Sequence, residues 1–387
     1  MKRVLPIIAF LPVLFAGCKE MYDPGIINPE TGYLVVEGFI NSGSEPTSIS
    51  LSRTTKLTEN IFSKPELNAS VTVEGDDNKS FSLVSTSPGI YSSAQPLTLN
   101  TAVQYRLKIN TANGNEYVSA YSSIKHSPVI DSITWKRENG GVQIYVNNHD
   151  DNPNEKSYYR WTFQEIWEIR STYLSNLKYE TNTSGNPVRV IYKYPDQSPD
   201  YSMYYCWQNS RSANILLGST ERLSQNVIYL PITHIQQGSI KLGVLYSIEI
   251  KQHALSKNAY DFYLQMKKNT EQLGSIFDPQ PSDLRGNITC TSNPGEIVIG
   301  HVEVNKEENK RIFIYNSQVP GWGYSRFCDI VSIANNERSI IENLQYMPIA
   351  PEEFNLDGSI KSFSASAGTC VDCQTRGSNI KPSFWPN

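Results

Sequence analysis

Tyr105-Arg106-Leu107-Lys108-Ile109 decides the fold class, because Tyr105, Leu107 and Ile109 alternate with two cations. A period of two puts the apolar side chains on one face of a half-buried strand. Asn113-Gly114 follows, a hairpin turn whose residues both tolerate positive φ, and Tyr117 to Ser122 supplies the returning strand. Working outward, the same pattern recurs. Tyr33–Ile40 is β-rich and Thr47–Arg53 alternates through Ile49 and Leu51. Val71 and Val73 alternate, as do Phe81 and Leu83. Turn clusters separate them at Asn41-Ser42-Gly43, Gly75-Asp76-Asp77-Asn78 and Ser87-Pro88-Gly89. Short strands at this spacing over 33–126 read as an immunoglobulin- or fibronectin-III-like β-sandwich.

Ser127-Pro128 marks a boundary, and 127–387 reads as a larger β-rich domain with one main helix. Ile133–Lys136 should pair with Val142–Asn147 across Asn139-Gly140-Gly141. Tyr159, Trp161, Phe163, Trp167 and Ile169 share one side of a strand, as core residues or, less simply, as an aromatic platform. Arg170 to Tyr205, with Gly185, Pro187, Pro195 and Pro199, reads as an irregular surface excursion. Tyr201, Tyr204, Tyr205 and Trp207 are candidate ligand or partner contacts, since Tyr gives large area at low entropy cost. Val244–Lys251 is a strand. Ser256 then caps a helix near 257–273 whose Tyr260, Tyr263 and Leu264 recur at helical spacing. Gly274 should end it, and Pro279 and Pro281 stiffen the crossing to strands at Ile297–Val304 and Arg311–Tyr315. The tail from Gly321 reads as held by disulfides rather than by regular structure.

The chain begins with Lys2-Arg3, an apolar run from Val4 to Phe15, and Leu14-Phe15-Ala16-Gly17-Cys18. That is the order of a secretory signal, and a cysteine directly after Ala-Gly makes it a lipobox. Phe15 stands where Leu is usual. The run is too short to span a bilayer, and Pro6 and Pro12 interrupt it. Residues 1–17 are therefore expected to be a signal peptide and Cys18 to be lipidated. Residues 18–32 would form a polar tether, since multiple acyl chains anchor firmly. Removing 17 of the 387 residues leaves 370, and loss of Lys2 and Arg3 leaves 32 basic against 38 acidic side chains. The acidic balance and the lack of a basic cluster argue against nucleic acid as a partner.

Chemistry-bearing motifs are sparse. His126, His149, His234, His253 and His301 form no His-Glu-x-x-His pair, and neither a Gly-x-Ser-x-Gly elbow nor a phosphate-binding glycine loop occurs. Cys370-x-x-Cys373 has no second close pair to complete a zinc site, nor the βαβ setting of a redox motif, so structural disulfide chemistry is expected. His149-Asp150-Asp151-Asn152-Pro153-Asn154-Glu155 is oxygen-rich but lacks the spacing of a calcium loop. Glu352-Glu353 would point to opposite sides of an extended chain, against a paired catalytic site. No catalytic residue, metal or cofactor is expected. With Cys18 acylated, Cys206, Cys290, Cys328, Cys370 and Cys373 remain, an odd set that an exported chain can oxidise in several pairings.

A family resemblance adds context. It rests on Leu34-Val35-Val36-Glu37-Gly38, Leu51-Ser52-Arg53-Thr54, Ser247 through Ser256, and Ala259-Tyr260-Asp261-Phe262. It continues through Leu273 to Pro281, Gly286-Asn287-Ile288, Val298-Ile299-Gly300, Lys310 to Ile314, Cys370-Val371-Asp372-Cys373 and Lys381 to Trp385. The chain resembles the domain of unknown function 4249 family of Bacteroidota lipoproteins. Lys19-Glu20 and Asp23, just behind Cys18, resemble the surface-export signal of such lipoproteins. The resemblance implies an outer-membrane, surface-exposed lipoprotein beside a TonB-dependent receptor, and a non-enzymatic role as its substrate-capture or lid subunit. A stand-alone adhesin or structural module of the cell envelope is the alternative, and a hydrolase with an unfamiliar site a third. The resemblance also matches Cys206, Cys328, Cys370 and Cys373 to common positions, leaving Cys290 as the odd cysteine.

Overall fold

A computed structural model describes residues 32–55, 63–152, 156–271 and 284–386. The signal, Cys18 and the tether lie outside the described residues, as does the expected helix exit at Gly274 with Pro279 and Pro281. The fold is mainly β, in sandwich-like layers, and among the described residues one helix, Lys257–Glu271, exceeds two turns. No helix among the described residues is long and apolar enough to cross a membrane.

The first layer contains the alternating Tyr105–Asn110 strand. Tyr105–Asn110 pairs with Ser70–Gly75 on one side and Glu116–Ser119 on the other. Its alternate residues Tyr105, Leu107 and Ile109 are buried with Val71, Val73, Ile49 and Leu51. Each such side chain, fully removed from water, contributes roughly 1.5–3 kcal/mol. The turn differs from the expected two-residue form. Only Gly114 has positive φ, and the Asn113 carboxamide oxygen instead accepts from the Thr111 hydroxyl. The two-residue turn with both φ positive occurs at Asn139 and Gly140, joining Ile130–Glu138 to Gly141–His149.

This layer is not confined to 33–126. Ile288–Cys290 extends one edge against Glu116–Ser119. Val298–Ile299 and Val304–Lys306 pair in parallel with Leu34–Asn41. Parallel pairing needs a long crossover, here most of the chain, and no local periodicity announces it. Gly286 and Gly300 permit the closure: a Cβ on either would collide with backbone, Gly300 itself in one case and Val36 in the other.

The second layer is built on the long strand Tyr158–Arg170, which pairs with Leu245–Leu255, Tyr205–Arg211 and Leu216–Ser219. Tyr159, Trp161, Trp167 and Ile169 join one core with Val142, Ile144 and Ile248, and Phe163 packs against it. The core reading of this aromatic row is therefore the one the structure carries.

Two expectations are corrected. Arg170–Tyr205 is not an irregular excursion: Leu177–Thr181 and Pro187–Tyr192 form a hairpin. The tail after Gly321 is not held by disulfides alone: Val331–Ala334, Ile360–Ala367 and Tyr346–Phe354 form an antiparallel sheet. Each element is too weakly apolar to read alone. Leu177 and Val190 meet Phe363, Ala365 and Ile333 in one small core, so hairpin and tail bury each other. Pro348 and Pro351 sit on the edge strand, where a missing N–H costs little.

Candidate functional site

The parity that buries the aromatic row in the second core leaves Arg160 and Thr162 on the other face of the same strand. Arg160 lies opposite His253 in the antiparallel register. The His253 strand then runs through Ser256 into the helix. The Ser256 hydroxyl accepts from the Ala259 N–H at 3.0 Å, the expected cap. The Ser256 N–H in turn donates to Glu303 at 3.1 Å, tying the helix start to the chain entering the first layer.

The result is a cleft of about 340 Å³ where the two layers meet under the helix. Glu37, Gly38 and Phe39 come from the first strand, Phe262, Tyr263 and Met266 from the helix, and Gly300, His301 and Glu307 from the returning segment. Glu303 and Asn305 line a small adjoining pocket that shares Gly38, Phe39, Arg160, His253, Tyr263 and His301 with it. A satisfied polar seam lies behind the cleft, joining the two layers. The Gln252 side chain accepts from the Trp161 indole at 2.9 Å and donates to the Pro128 carbonyl at 2.8 Å. The Ser127 hydroxyl accepts from the Ala254 N–H at 2.8 Å and donates toward Asn305. Such a network holds the two layers in one register.

Within this frame several groups have no use of their own. His253 and His301 are each only 7% exposed, and the Nδ1 atom of each lacks a hydrogen-bond partner. A buried polar atom left so costs about 1–3 kcal/mol. Arg160 stacks with its guanidinium carbon 4.4 Å from the Tyr263 ring centre, and its Nε is also without a partner. Burial pushes the His253 imidazole down to about 3, and the nearby cations Arg160 and Lys251 add to this. His253 lies 3.7 Å from Glu307, but with so low a pKa it is a neutral ring beside a carboxylate rather than an ion pair. Burial raises Glu307 above the usual carboxylate range, opposed by its 2.7 Å contact with Lys251. Burial likewise lowers His301, opposed by Glu303. The cleft thus offers two neutral imidazoles, one guanidinium, carboxylates and aromatic faces. Among the described residues no group of three His, Cys, Asp or Glu side chains is placed to hold a metal ion.

A family model, Domain of unknown function (DUF4249), matches residues 19–311, every residue of this cleft included. The chain belongs to the DUF4249 family. The match stops before the Cys370–Trp385 segment on which the resemblance was also read. No curated protein matches the sequence. Among solved structures, a DUF4785 family protein from Legionella pneumophila is similar at 11% identity and a TM-score of 0.17. The match covers 57% of this chain and 52% of that one, so this chain spans about half the length of that structure.

Among the described residues the DUF4249 chain commits four of its five cysteines to two long-range bonds, Cys206–Cys373 and Cys328–Cys370. The Cys-x-x-Cys residues therefore serve different bridges, and Cys290 is the free, buried thiol, in the first core. Beside the first bridge, Tyr201 is 54% exposed and stacks on Tyr205 at 6.1 Å, with Tyr204 edge-on to Tyr205 at 4.8 Å. Trp207 does not join that patch. It packs on Trp385, which closes a small apolar cluster with Ile166 and Leu245. In the oxygen-rich loop, Asp150 accepts from Ser157 at 2.7 Å and His149 contacts Asp131 at 2.8 Å, so those groups already have partners outside the loop. Glu353 pairs with Lys361 and Glu352 accepts from Ser332. Sequence reading missed Arg160 and gave His253 and His301 no role. The local sign was faint: Gln252 and His253 are adjacent buried polar residues near the end of the Leu245–Leu255 strand.

Proposed function

We propose that this DUF4249 protein is a lipid-anchored, surface-exposed outer-membrane lipoprotein that serves a TonB-dependent nutrient transporter as a non-enzymatic substrate-capture or lid subunit. The observation that carries the reading is cysteine use. Four cysteines are paired across 167 and 42 residues, bonds that persist in an oxidising compartment, in a chain whose leader ends at a lipobox. Lipid on Cys18 would hold the chain at the membrane while both layers fold outside the cytoplasm. The Tyr201, Tyr204 and Tyr205 patch suits a partner contact, and the cleft under the helix suits a small ligand. Native gel electrophoresis of gently solubilised outer membranes tests the reading. Migration with a β-barrel partner is expected. Migration alone would replace the reading with a stand-alone envelope module.

A further inference from the structure

We propose that the cleft under the Lys257–Glu271 helix binds a small zwitterion with an apolar side chain, a free α-amino acid or a short peptide. The proposal rests on the capture role and names the ligand chemistry. Among the described residues, Arg160 and Glu37 line the cleft, Glu303 lines the small pocket adjoining it, and none is in an ion pair. Glu307 differs, because Lys251 already meets it at 2.7 Å. Arg160 stacks on Tyr263 but has no carboxylate partner, and a guanidinium is the natural partner of one. A simple anion would meet three acidic side chains around the same space, so the ligand must also carry a cation. An α-ammonium group set against Glu303 and Glu37 supplies it.

The remaining lining fits the rest of such a molecule. Phe39, Phe262, Met266 and Ile299 give an apolar wall for a side chain. His253 and His301, each more than nine-tenths buried with an unpartnered Nδ1, line the same space and are neutral. A neutral imidazole nitrogen can donate to a carboxylate or accept from an ammonium without adding charge. At about 340 Å³ the cleft is near the small end of ligand sites, which run from roughly 300 to 1,000 Å³. It suits a monomer or dipeptide rather than a polymer.

The test is calorimetric titration of the purified full chain in detergent with L-phenylalanine, L-phenylalanine amide and N-acetyl-L-phenylalanine, and with the dipeptide Leu-Leu. Expected is binding of L-phenylalanine or the dipeptide, with the amide and the acetyl compound each at least tenfold weaker. In Arg160→Gln the amide should bind as well as L-phenylalanine. In Glu303→Gln the acetyl compound should bind as well as L-phenylalanine. The wild-type comparison alone decides the matter if either variant fails to fold. No binding of amino acid or dipeptide at millimolar concentration, or equal binding of L-phenylalanine and its two blocked forms, would overturn the proposal. Binding without a copurifying barrel would leave the ligand assignment standing and remove the transporter, whereas a copurifying barrel with an empty cleft would do the reverse.

Discussion

Lowering the pH from 7.5 to 5.0 should destabilise the fold through His253. In the unfolded chain its pKa is near 6.5, and in the native state burial holds it at about 3. The native state therefore binds fewer protons, and stability falls as pH drops through 6.5 and stops falling below 3. At pH 5.0 the unfolded imidazole is almost fully protonated and the native one is not, a loss of about 2 kcal/mol relative to pH 7.5. Continued to pH 3, the loss grows to about 4 kcal/mol. The groups facing the ring set the balance. Arg160 and Lys251 oppose its protonation and Glu307 favours it, but removal from water dominates. His301 adds a loss of the same sign. Glu307 acts oppositely, because its raised native pKa favours the protonated native state as pH falls. His149, raised by Asp131, also gains on acidification, but it is exposed and its weight is small. Urea unfolding at both pH values measures the effect. In His253→Gln the baseline should fall and the pH-dependent loss should shrink by about 2 kcal/mol. A variant that keeps the full wild-type pH dependence would refute the assignment of a buried neutral imidazole.

Further outcomes follow from the same structure. Cys206→Ala opens a bond spanning 167 residues and should cost about 2–5 kcal/mol, read as a lower denaturation midpoint under oxidising conditions and no difference under reduction of both proteins. Cys290, buried in the first core, should resist a thiol reagent in the native protein and react fully in denaturant, and rapid native labelling would place it elsewhere. Gly300→Ala drives a methyl into the Val36 backbone and should destabilise by more than the few tenths expected of an exposed site, whereas an unchanged melting temperature would mean that the approach is looser than described. Cys18→Ala should leave the chain unlipidated and released from membranes, and firm retention would contradict the tether.

Strand identity was legible wherever one face is buried and the other wet. Tyr105, Leu107 and Ile109 alternate with Arg106 and Lys108, and Tyr159 and Trp161 alternate with Arg160 and Thr162, so period two showed both cores, although from Glu165 to Ile169 both faces of the second strand are buried. Ser256 was legible as a cap because its oxygen satisfies a helix N–H wherever the helix packs. What escaped was non-local. Val298–Ile299 carries no sign of Leu34 and Val35 as its partners. The tail strand around Ser362, Phe363 and Ser364 is apolar at too few positions, until the Leu177 hairpin covers it. The cleft escaped for the same reason. Arg160 and His253 meet across the antiparallel second layer, and the parallel closure of the first layer sets Glu37 beside the segment that carries His301.

Affinity purification of the tagged chain from gently solubilised outer membranes, at native expression and with partners identified by mass spectrometry, tests the central claim most directly. A stoichiometric TonB-dependent barrel is the predicted result. A clean monomer, reproduced across mild detergents, would contradict it.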